Sequence, residues 1–317
     1  MSDLTIRFMG LELANPVLVG SSGLTATVDG IKACADAGAG AVVTKSLFQS
    51  PSAAGTGGSP ASGNGADGEK DLSERDFLTM LNRARRAVSV PIIASLCCDS
   101  IVAWKRTAKA AWNAGADALQ LNISVAPCMT AGLSKAIEDL YITVLEEIKR
   151  EVNVPVSVKV NPYLTSMMRM AYVLSGSQAA ALVLFNRFHR IDIDTEELRV
   201  TSAPFISAGE EMHFALRWIA LLYGKVPVDL AAATGLHETD DVIKQLLAGA
   251  QAVELCSTLY RNGLGRIRII LDGLSRWMGA NSYGCLDDFR GLLSQDRSGA
   301  PWVYERLQYA GEPLPQG

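Results

Sequence analysis

The sequence is poor in residues that bind metals or form disulfide scaffolds. It contains three histidines and six cysteines in 317 residues, and no two cysteines have the CxxC spacing typical of zinc or iron–sulfur sites. Cys97 and Cys98 are adjacent, so in a strand their side chains would point to opposite faces. We therefore predict reduced thiols and no bound metal.

The sequence also lacks a long apolar run and a strong excess of charge. Its longest apolar run, Ala179–Phe185, is far shorter than the roughly 18 residues that a membrane span needs. The first residues show no signal-peptide pattern. Acidic residues number 33 and basic residues 29, so the net charge is −4. This sequence lacks the excess of basic residues that is typical of nucleic-acid-binding proteins. We expect a cytoplasmic protein with a small-molecule substrate and no nucleic-acid or membrane partner.

The sequence does contain a repeated phrase, in which a small-residue turn leads through alanine into an apolar run. Copies begin at Ala37, Ala114 and Ala248, with a looser copy at Gln178. In a second phrase, Val-Pro precedes a short apolar run, and it occurs at Val90, Val154 and Val226. Glycine suits the end of a helix and proline the start of a strand. Each phrase therefore predicts a buried parallel strand.

With Pro16–Val19, these phrases predict eight strands, near residues 16, 41, 91, 118, 155, 181, 227 and 252. Segments with helical periodicity separate them, and a last helix is predicted from about Leu259 to Met278. Eight β/α units without a break in composition predict a single (β/α)8 TIM barrel over residues 1–317, with a doubly wound sheet as the alternative. Thr5–Phe8 and Leu11–Leu13 are expected to form a short hairpin across the barrel floor.

Two long connections follow predicted strands at their carboxyl ends, where barrels carry their active sites. Ser50–Lys70 contains six glycines, which predicts a flexible loop that is either structureless or closes over a ligand. Phe188–Ala208 is the second; it is rich in Asp and Arg, and glycine occurs only at its edge.

The ends of the predicted strands carry the candidate functional residues. Lys45 and Lys159 each end an apolar strand, and a buried ammonium needs a partner. A salt bridge to Glu254 or Asp229 would explain them structurally. Function is favoured because amide and hydroxyl side chains flank both lysines in the sequence.

Asn122 and Asn186, at other strand ends, suit a planar heterocycle or a carboxylate. Thr234-Gly235 and Ser257-Thr258, each expected to open a helix, fit the phosphate site of a barrel. The predicted site would hold a phosphate at these turns and a ring beside lysines and amides. FMN is the cofactor that fits this arrangement best. The candidate cofactor-binding residues are Gly20, Ser21, Ser22, Gly23, Lys45, Ser46, Asn122, Lys159, Thr234, Gly235, Cys256, Ser257 and Thr258.

At these positions the chain resembles the dihydroorotate dehydrogenase family, particularly its soluble class 1 branch. The similar segments are Asn15–Gly23, Gly38–Ser46, Leu121–Ser124, Val158–Tyr163, Phe185-Asn186, and Leu246–Tyr260 with Leu286–Gly291. The resemblance implies a barrel with non-covalent FMN that oxidises dihydroorotate to orotate, usually as a homodimer. It implies substrate contacts for Asn122 and Asn186 and flavin contacts for Lys45. An iron–sulfur partner subunit, known for one branch, is not predicted by this sequence.

The chain departs from the family in its substrate half. Where the family has a cysteine or serine that removes the substrate proton, this chain has Val125, which cannot accept a proton. Cys128 and Ser124 are the candidate replacements, with Lys45 beside them. Arg187 stands where the family has a serine and is a candidate for binding an anionic group of the substrate.

These departures leave alternatives open. The same flavin barrel could act on a different substrate, or serve as an electron-transfer subunit without substrate chemistry. A Schiff-base aldolase that uses Lys159 or Lys45 is a further alternative.

Overall fold

A computed structural model shows the architecture of the protein and describes residues 2–49, 72–124, 134–187, 190–202 and 205–306. In chain order, its strands are β1 (Ile6–Phe8), β2 (Leu11–Leu13), β3 (Val17–Val19), β4 (Ala41–Val43), β5 (Leu47–Gln49), β6 (Ile92–Cys98), β7 (Ala118–Asn122), β8 (Val156–Val160), β9 (Ala181–Leu184), β10 (Ile191–Asp194), β11 (Arg199–Ser202), β12 (Asp229–Ala233) and β13 (Ala252–Leu255). The predicted flexible loop Ser50–Lys70 lies outside the described residues.

Eight parallel strands close into a barrel in the order β3, β4, β6, β7, β8, β9, β12 and β13, with β13 paired to β3. These are the eight strands predicted from the repeated phrases, so the (β/α)8 barrel is confirmed and the doubly wound sheet is wrong. Every residue of β3, β4, β9 and β13 is buried. Helices cover the outer face and side chains fill the interior, which is why these strands read as continuous apolar runs.

The outer layer is helical, and several helices begin at hydroxyl caps. The side chains of Thr27, Ser73 and Ser100 each accept a backbone N–H of the first turn. The helices are α1 (Val28–Asp36), α2 (Glu74–Ala87), α3 (Ile101–Asn113), α4 (Ser134–Glu151), α5 (Met167–Gly176), α6 (Met212–Leu222), α7 (Thr239–Ala248), α8 (Ser257–Asn262), α9 (Arg266–Ala280) and α10 (Trp302–Glu305). The prediction of a single last helix from Leu259 is wrong. Helix α8 ends at Asn262, because the next residue, Gly263, has a φ of 75°, which a right-handed helix does not allow.

The predicted hairpin is present as the antiparallel pair β1–β2. Its turn residue Met9 is buried and donates its backbone N–H to Asp229 Oδ2 at 2.7 Å. Asp229 begins β12, so the hairpin covers the amino-terminal end of the barrel, as expected. Burial raises the pKa of Asp229, and the Met9 N–H and the charges of Arg290 and Arg7 offset that only in part.

The second barrel strand contains a bulge that the sequence does not reveal. Val43 pairs with Ile93 and Leu47 with Leu96, so three residues from Thr44 to Ser46 lie opposite two on β6. The Thr44 hydroxyl accepts the Ser95 backbone N–H at 3.1 Å and thus replaces a main-chain acceptor. Such bulges redirect side chains next to active sites. Here the bulge sets the positions of Lys45 and Ser46.

The connection after β9 contains a hairpin that the sequence patterns did not predict. Within 188–208, β10 and β11 form an antiparallel hairpin with Ile193 opposite Val200. Both of those side chains and those of Ile191 and Leu198 are exposed.

None of the helices that the structure describes combines the length and the apolar character of a segment that crosses a bilayer.

Candidate active site

A cavity of about 230 Å³ opens at the carboxyl ends of the barrel strands. It lies where barrel enzymes bind their ligands. An adjoining cavity of about 290 Å³ shares Phe185, Asn186 and Arg187 with it. Of the predicted cofactor-binding and substrate-binding residues, the first cavity is lined by Gly20, Ser21, Lys159, Asn186, Arg187, Thr234, Gly235, Cys256 and Ser257.

Lys159 lies at the base of this cavity and has a carboxylate partner. Its Nζ is 2.7 Å from Glu254 Oε2, and the side chain of Glu254 is only 2% exposed. The other oxygen of Glu254 accepts a hydrogen bond from the buried Gln120. The salt bridge to Glu254, which the sequence offered as a structural explanation for Lys159, is therefore present, and the expectation that Lys159 lies among amides and hydroxyls rather than carboxylates is wrong. Neighbours along the chain suggested it, whereas Glu254 comes from β13, on the far side of the barrel interior.

Lys45 lies in the bulge after β4 and is buried, with 5% of its surface exposed. Its backbone N–H donates to Thr25 O at 3.2 Å. The bulge thus fixes the main chain of Lys45 against the turn that follows β3.

Serine and asparagine side chains from several strand ends form one connected polar cluster. Asn186 Nδ2 donates to Asn122 Oδ1 at 2.6 Å, and Asn122 Nδ2 lies 3.4 Å from Ser46 Oγ. Ser46 Oγ is in turn 3.1 Å from Ser21 Oγ and 2.7 Å from Ser95 Oγ. The structure therefore brings together Asn122, Asn186, Ser46 and Ser21, which the sequence predicted at separate strand ends.

The predicted phosphate site differs in detail from expectation. Thr234-Gly235 does not open a helix, because α7 begins only at Thr239; both residues have φ near 76° and form a tight turn. Gly235 N–H donates to the Ser207 hydroxyl at 3.1 Å, and Ser207 N–H donates to Ser257 Oγ at 2.9 Å. Ser207 is a site residue that sequence reasoning missed, since it lies in a connection with no recognisable motif.

Ser257 does open a helix, α8, and it lines the cavity together with Cys256. The other hydroxyl of that pair, Thr258, is fully buried and donates to His237 O at 3.1 Å. Ser22 and Gly23 begin a short 3-10 turn over residues 23–25, in which Ser22 Oγ donates to Gly20 O at 3.3 Å. The cavity lining therefore does not include Thr258, Ser22 or Gly23, although they neighbour residues that line it.

The candidate base Ser124 lies two residues after the end of β7. Ser124 is exposed, whereas Cys128 lies outside the described residues. Among the described thiols, Cys97 on β6 contacts the backbone of Ser124. Burial raises the pKa of Cys97 to about 11, so this thiol stays protonated at neutral pH. No group of three or more histidine, cysteine or acidic side chains within the described ranges could hold a metal ion.

Arg187 is held by a carboxylate at the rim of the cavity. Its Nε lies 2.9 Å from Glu211 Oε2, which is also 2.7 Å from Arg190 Nη2. Burial raises the pKa of Glu211, but hydrogen bonds from Arg187 and Ala208 N–H and the two arginine charges outweigh burial and lower it. Glu211 therefore stabilises the fold above the ordinary glutamate pKa of about 4.3, and this contribution is lost as pH falls through the lower folded value.

We accordingly expect Glu211→Gln to reduce the free energy of unfolding by about 1–3 kcal/mol at pH 7. The difference from the unsubstituted protein should shrink as the pH is lowered below 4. Urea denaturation across this pH range measures it. The control is Glu210→Gln, which makes the same charge change at the exposed neighbouring residue. Equal effects of the two variants at pH 7 would contradict a specific role for the Glu211 pairs.

Comparison with known proteins identifies the family. The family model described as Dihydroorotate dehydrogenase matches residues 69–278, well over half of the chain. The chain belongs to the dihydroorotate dehydrogenase family. This confirms the resemblance stated from the sequence, and it supports an oxidoreductase of this type.

Relatives match over nearly their whole length at modest identity. The chain is 26% identical over 303 residues to the dihydroorotate dehydrogenase B (NAD(+)) catalytic subunit of Methanothermobacter thermautotrophicus, covering 91% of this chain and 98% of that protein. It is 28% identical over 304 residues to the protein of the same name from Methanocella arvoryzae, covering 91% and 97%. A crystal structure of DHODH from Eimeria tenella in complex with ferulenol superposes with a TM-score of 0.72 at 17% identity, covering 92% and 88%. That superposition supports the fold.

Proposed function

We propose that this chain is an FMN-dependent oxidoreductase that oxidises a CH–CH bond of dihydroorotate or a closely similar ring. The polar cluster of Asn122, Asn186 and Ser46 carries this proposal. It presents paired amides at the strand ends, and Asn186 also lines the cavity that contains Lys159. Amide groups offer both donors and acceptors, which suits the edge of a planar amide-containing ring.

The side chains and backbone around the cavity fit FMN. Ser21, Thr234, Gly235 and Ser257 line it, and residues with hydroxyl and accessible main-chain groups are typical of phosphate sites. Lys159 and Asn186 provide polar contacts for a ring system. When bound, FMN supplies the acceptor for two electrons from the substrate, while the protein supplies orientation and electrostatics.

Removal of the substrate proton needs a base within hydrogen-bond distance. Val125 stands at the family's base position and cannot accept a proton. We propose Ser124 and Cys128 as the candidates for this role, with Lys45 contributing positive charge. Asn122, Asn186 and Arg187 would hold the substrate ring and its anionic group in place.

A visible absorption spectrum of the purified protein tests this function. We expect flavin bands after FMN loading, and bleaching of those bands when dihydroorotate is added without oxygen. If the unsubstituted protein bleaches and Cys128→Ala or Ser124→Ala does not, the substituted residue is the base. A protein that binds no FMN would contradict the proposal as a whole.

Val125 also favours a second candidate function, in which the same flavin barrel acts on a different substrate or transfers electrons without substrate chemistry. Flavin bands that persist with dihydroorotate, but bleach with another reductant or a protein partner, would support it. A Schiff-base aldolase that uses Lys159 is disfavoured, because its Nζ is held 2.7 Å from the buried Glu254 carboxylate and a Schiff base needs that nitrogen free to attack a carbonyl.

We further propose that the chain forms a homodimer and, like relatives named catalytic subunits, works with a second subunit. The exposed apolar residues Ile193, Leu198 and Val200 of the β10–β11 hairpin support an interface, since such patches mark association sites. Light scattering of the purified chain would give its molar mass, and a monomer at micromolar concentration would contradict the homodimer.

A further inference from the structure

Glu254 is a buried carboxylate in the wall of the proposed cofactor cavity. It lies on β13 with 3% of its surface exposed, and both Glu254 and Lys159 line the cavity. One carboxylate oxygen is 2.7 Å from Lys159 Nζ, and the other accepts a hydrogen bond from Gln120. Both oxygens therefore have fixed partners from β8 and β7, on strands that do not neighbour β13.

The carboxylate also borders the turn after β3. A Cβ added to Gly20, another lining residue, would be 3.5 Å from Glu254 Oε2. Glu254 and Gly20 both line the cavity, so the negative charge lies in the wall that a ligand would contact. Removing a carboxylate from water is costly, and the ion pair with Lys159 is what makes burial of Glu254 possible.

The ion pair also decides the charge that the cavity presents. Lys159 contributes one positive charge and Glu254 one negative charge, so together they are neutral. The remaining cations of the lining, Arg187 and Arg190, both contact Glu211. Without Glu254, the base of the cavity would carry the uncompensated charge of Lys159.

We propose that Glu254 is a positioning residue that fixes the Lys159 ammonium and offsets its charge. The ratio of the affinity for reduced FMN to the affinity for oxidised FMN is therefore lower than it would be without the Glu254 charge. This inference rests on the proposed function, since it requires FMN in the cavity. Reduction adds negative charge to the flavin, and a fixed carboxylate nearby repels it, while a lysine attracts it. Glu254→Gln keeps a hydrogen-bond acceptor for Lys159 but removes the negative charge.

The test is the midpoint potential of FMN bound to the full chain, together with the dissociation constant of oxidised FMN. We expect Glu254→Gln to increase the affinity for reduced relative to oxidised FMN at least tenfold. For a two-electron couple this raises the midpoint potential by about 30 mV. Lys159→Met should shift the potential in the opposite direction, and Glu254→Gln with Lys159→Met should restore it to near the unsubstituted value.

A matched control is Asp229→Asn, which removes a carboxylate at the opposite end of the same barrel and should leave the potential unchanged. If Glu254 were only structural, Glu254→Gln would weaken binding of both FMN forms equally and leave the potential unchanged, which would overturn the inference.

The double variant has no charge at this pair, and buried ion pairs tolerate neutral replacement better than removal of one partner. If Glu254→Gln does not fold, the double variant is compared with Lys159→Met: a higher potential in the double variant supports the inference, and an equal potential overturns it. An unsubstituted protein that binds no FMN would overturn the proposed function as well, whereas bound FMN with an unchanged potential in Glu254→Gln overturns the inference alone.

Discussion

Replacing Gly235 by alanine is expected to lower the free energy of unfolding by more than about 3 kcal/mol and to abolish FMN binding. Gly235 has a φ of 76°, and an added Cβ would lie 2.3 Å from Met212 N and 3.0 Å from Ala208 O. Both are backbone atoms, so the start of α6 would have to move. The same movement would break the hydrogen bond from Gly235 N–H to Ser207 and displace a lining segment of the cavity.

Gly10→Ala is the control for this variant. Gly10, in the β1–β2 turn, has nearly the same φ, 77°, but no atom lies within 4 Å of the position that an added Cβ would take. Gly10→Ala should lower the free energy of unfolding only by the cost of placing an alanine in the left-handed backbone conformation, about 1–2 kcal/mol. Urea denaturation measures both variants. If Gly235→Ala and Gly10→Ala lose equal stability, close packing at Gly235 is not the reason that glycine is needed there.

Replacing Asn122 by alanine is expected to slow reduction of bound FMN by substrate about 100-fold, equivalent to about 2.7 kcal/mol, while FMN remains bound. Asn122 accepts a hydrogen bond from Asn186 and contacts Ser46, so it orients both neighbours. Alanine would remove its own polar contacts with the substrate and leave the Asn186 amide without the acceptor that now fixes it.

Anaerobic stopped-flow absorbance measures this rate. Asn82→Ala provides a matched control, because Asn82 lies on α2, outside the barrel, and bonds to Ala114 O at 3.3 Å. It should leave the rate within about twofold of the unsubstituted protein, as expected for a site remote from the cavity. A normal rate in Asn122→Ala would show that the amide pair does not bind substrate.

The positions of the barrel strands could be predicted from the sequence because each strand is buried on both faces. Runs such as Ala41–Val43 and Ala181–Leu184 have no polar alternation, and the Gly and Pro residues before such runs mark where helices end and strands begin. The floor hairpin was predicted from two short segments, Thr5–Phe8 and Leu11–Leu13, that precede the first barrel strand. These are local signals, and they do not depend on which distant residues meet.

The candidate site was predicted less completely. Asn122, Asn186 and Lys159 could be placed at strand ends, and closure of the barrel brings carboxyl ends together at one rim. Ser207 could not be found, because it acts through a turn 28 residues further along the chain. The β10–β11 hairpin was missed because its charged and apolar side chains are largely solvent-exposed, without a buried face to reveal them.

The sequence by itself determined the number of β/α units, their order and the family to which the chain belongs. Only the tertiary structure decided which charges meet: it pairs Lys159 with Glu254 across 95 residues and places the bulge at Lys45. The physical reason is that burial and periodicity are properties of a segment. An ion pair or a register shift, in contrast, is a property of two segments, and their distance is fixed only when the barrel closes.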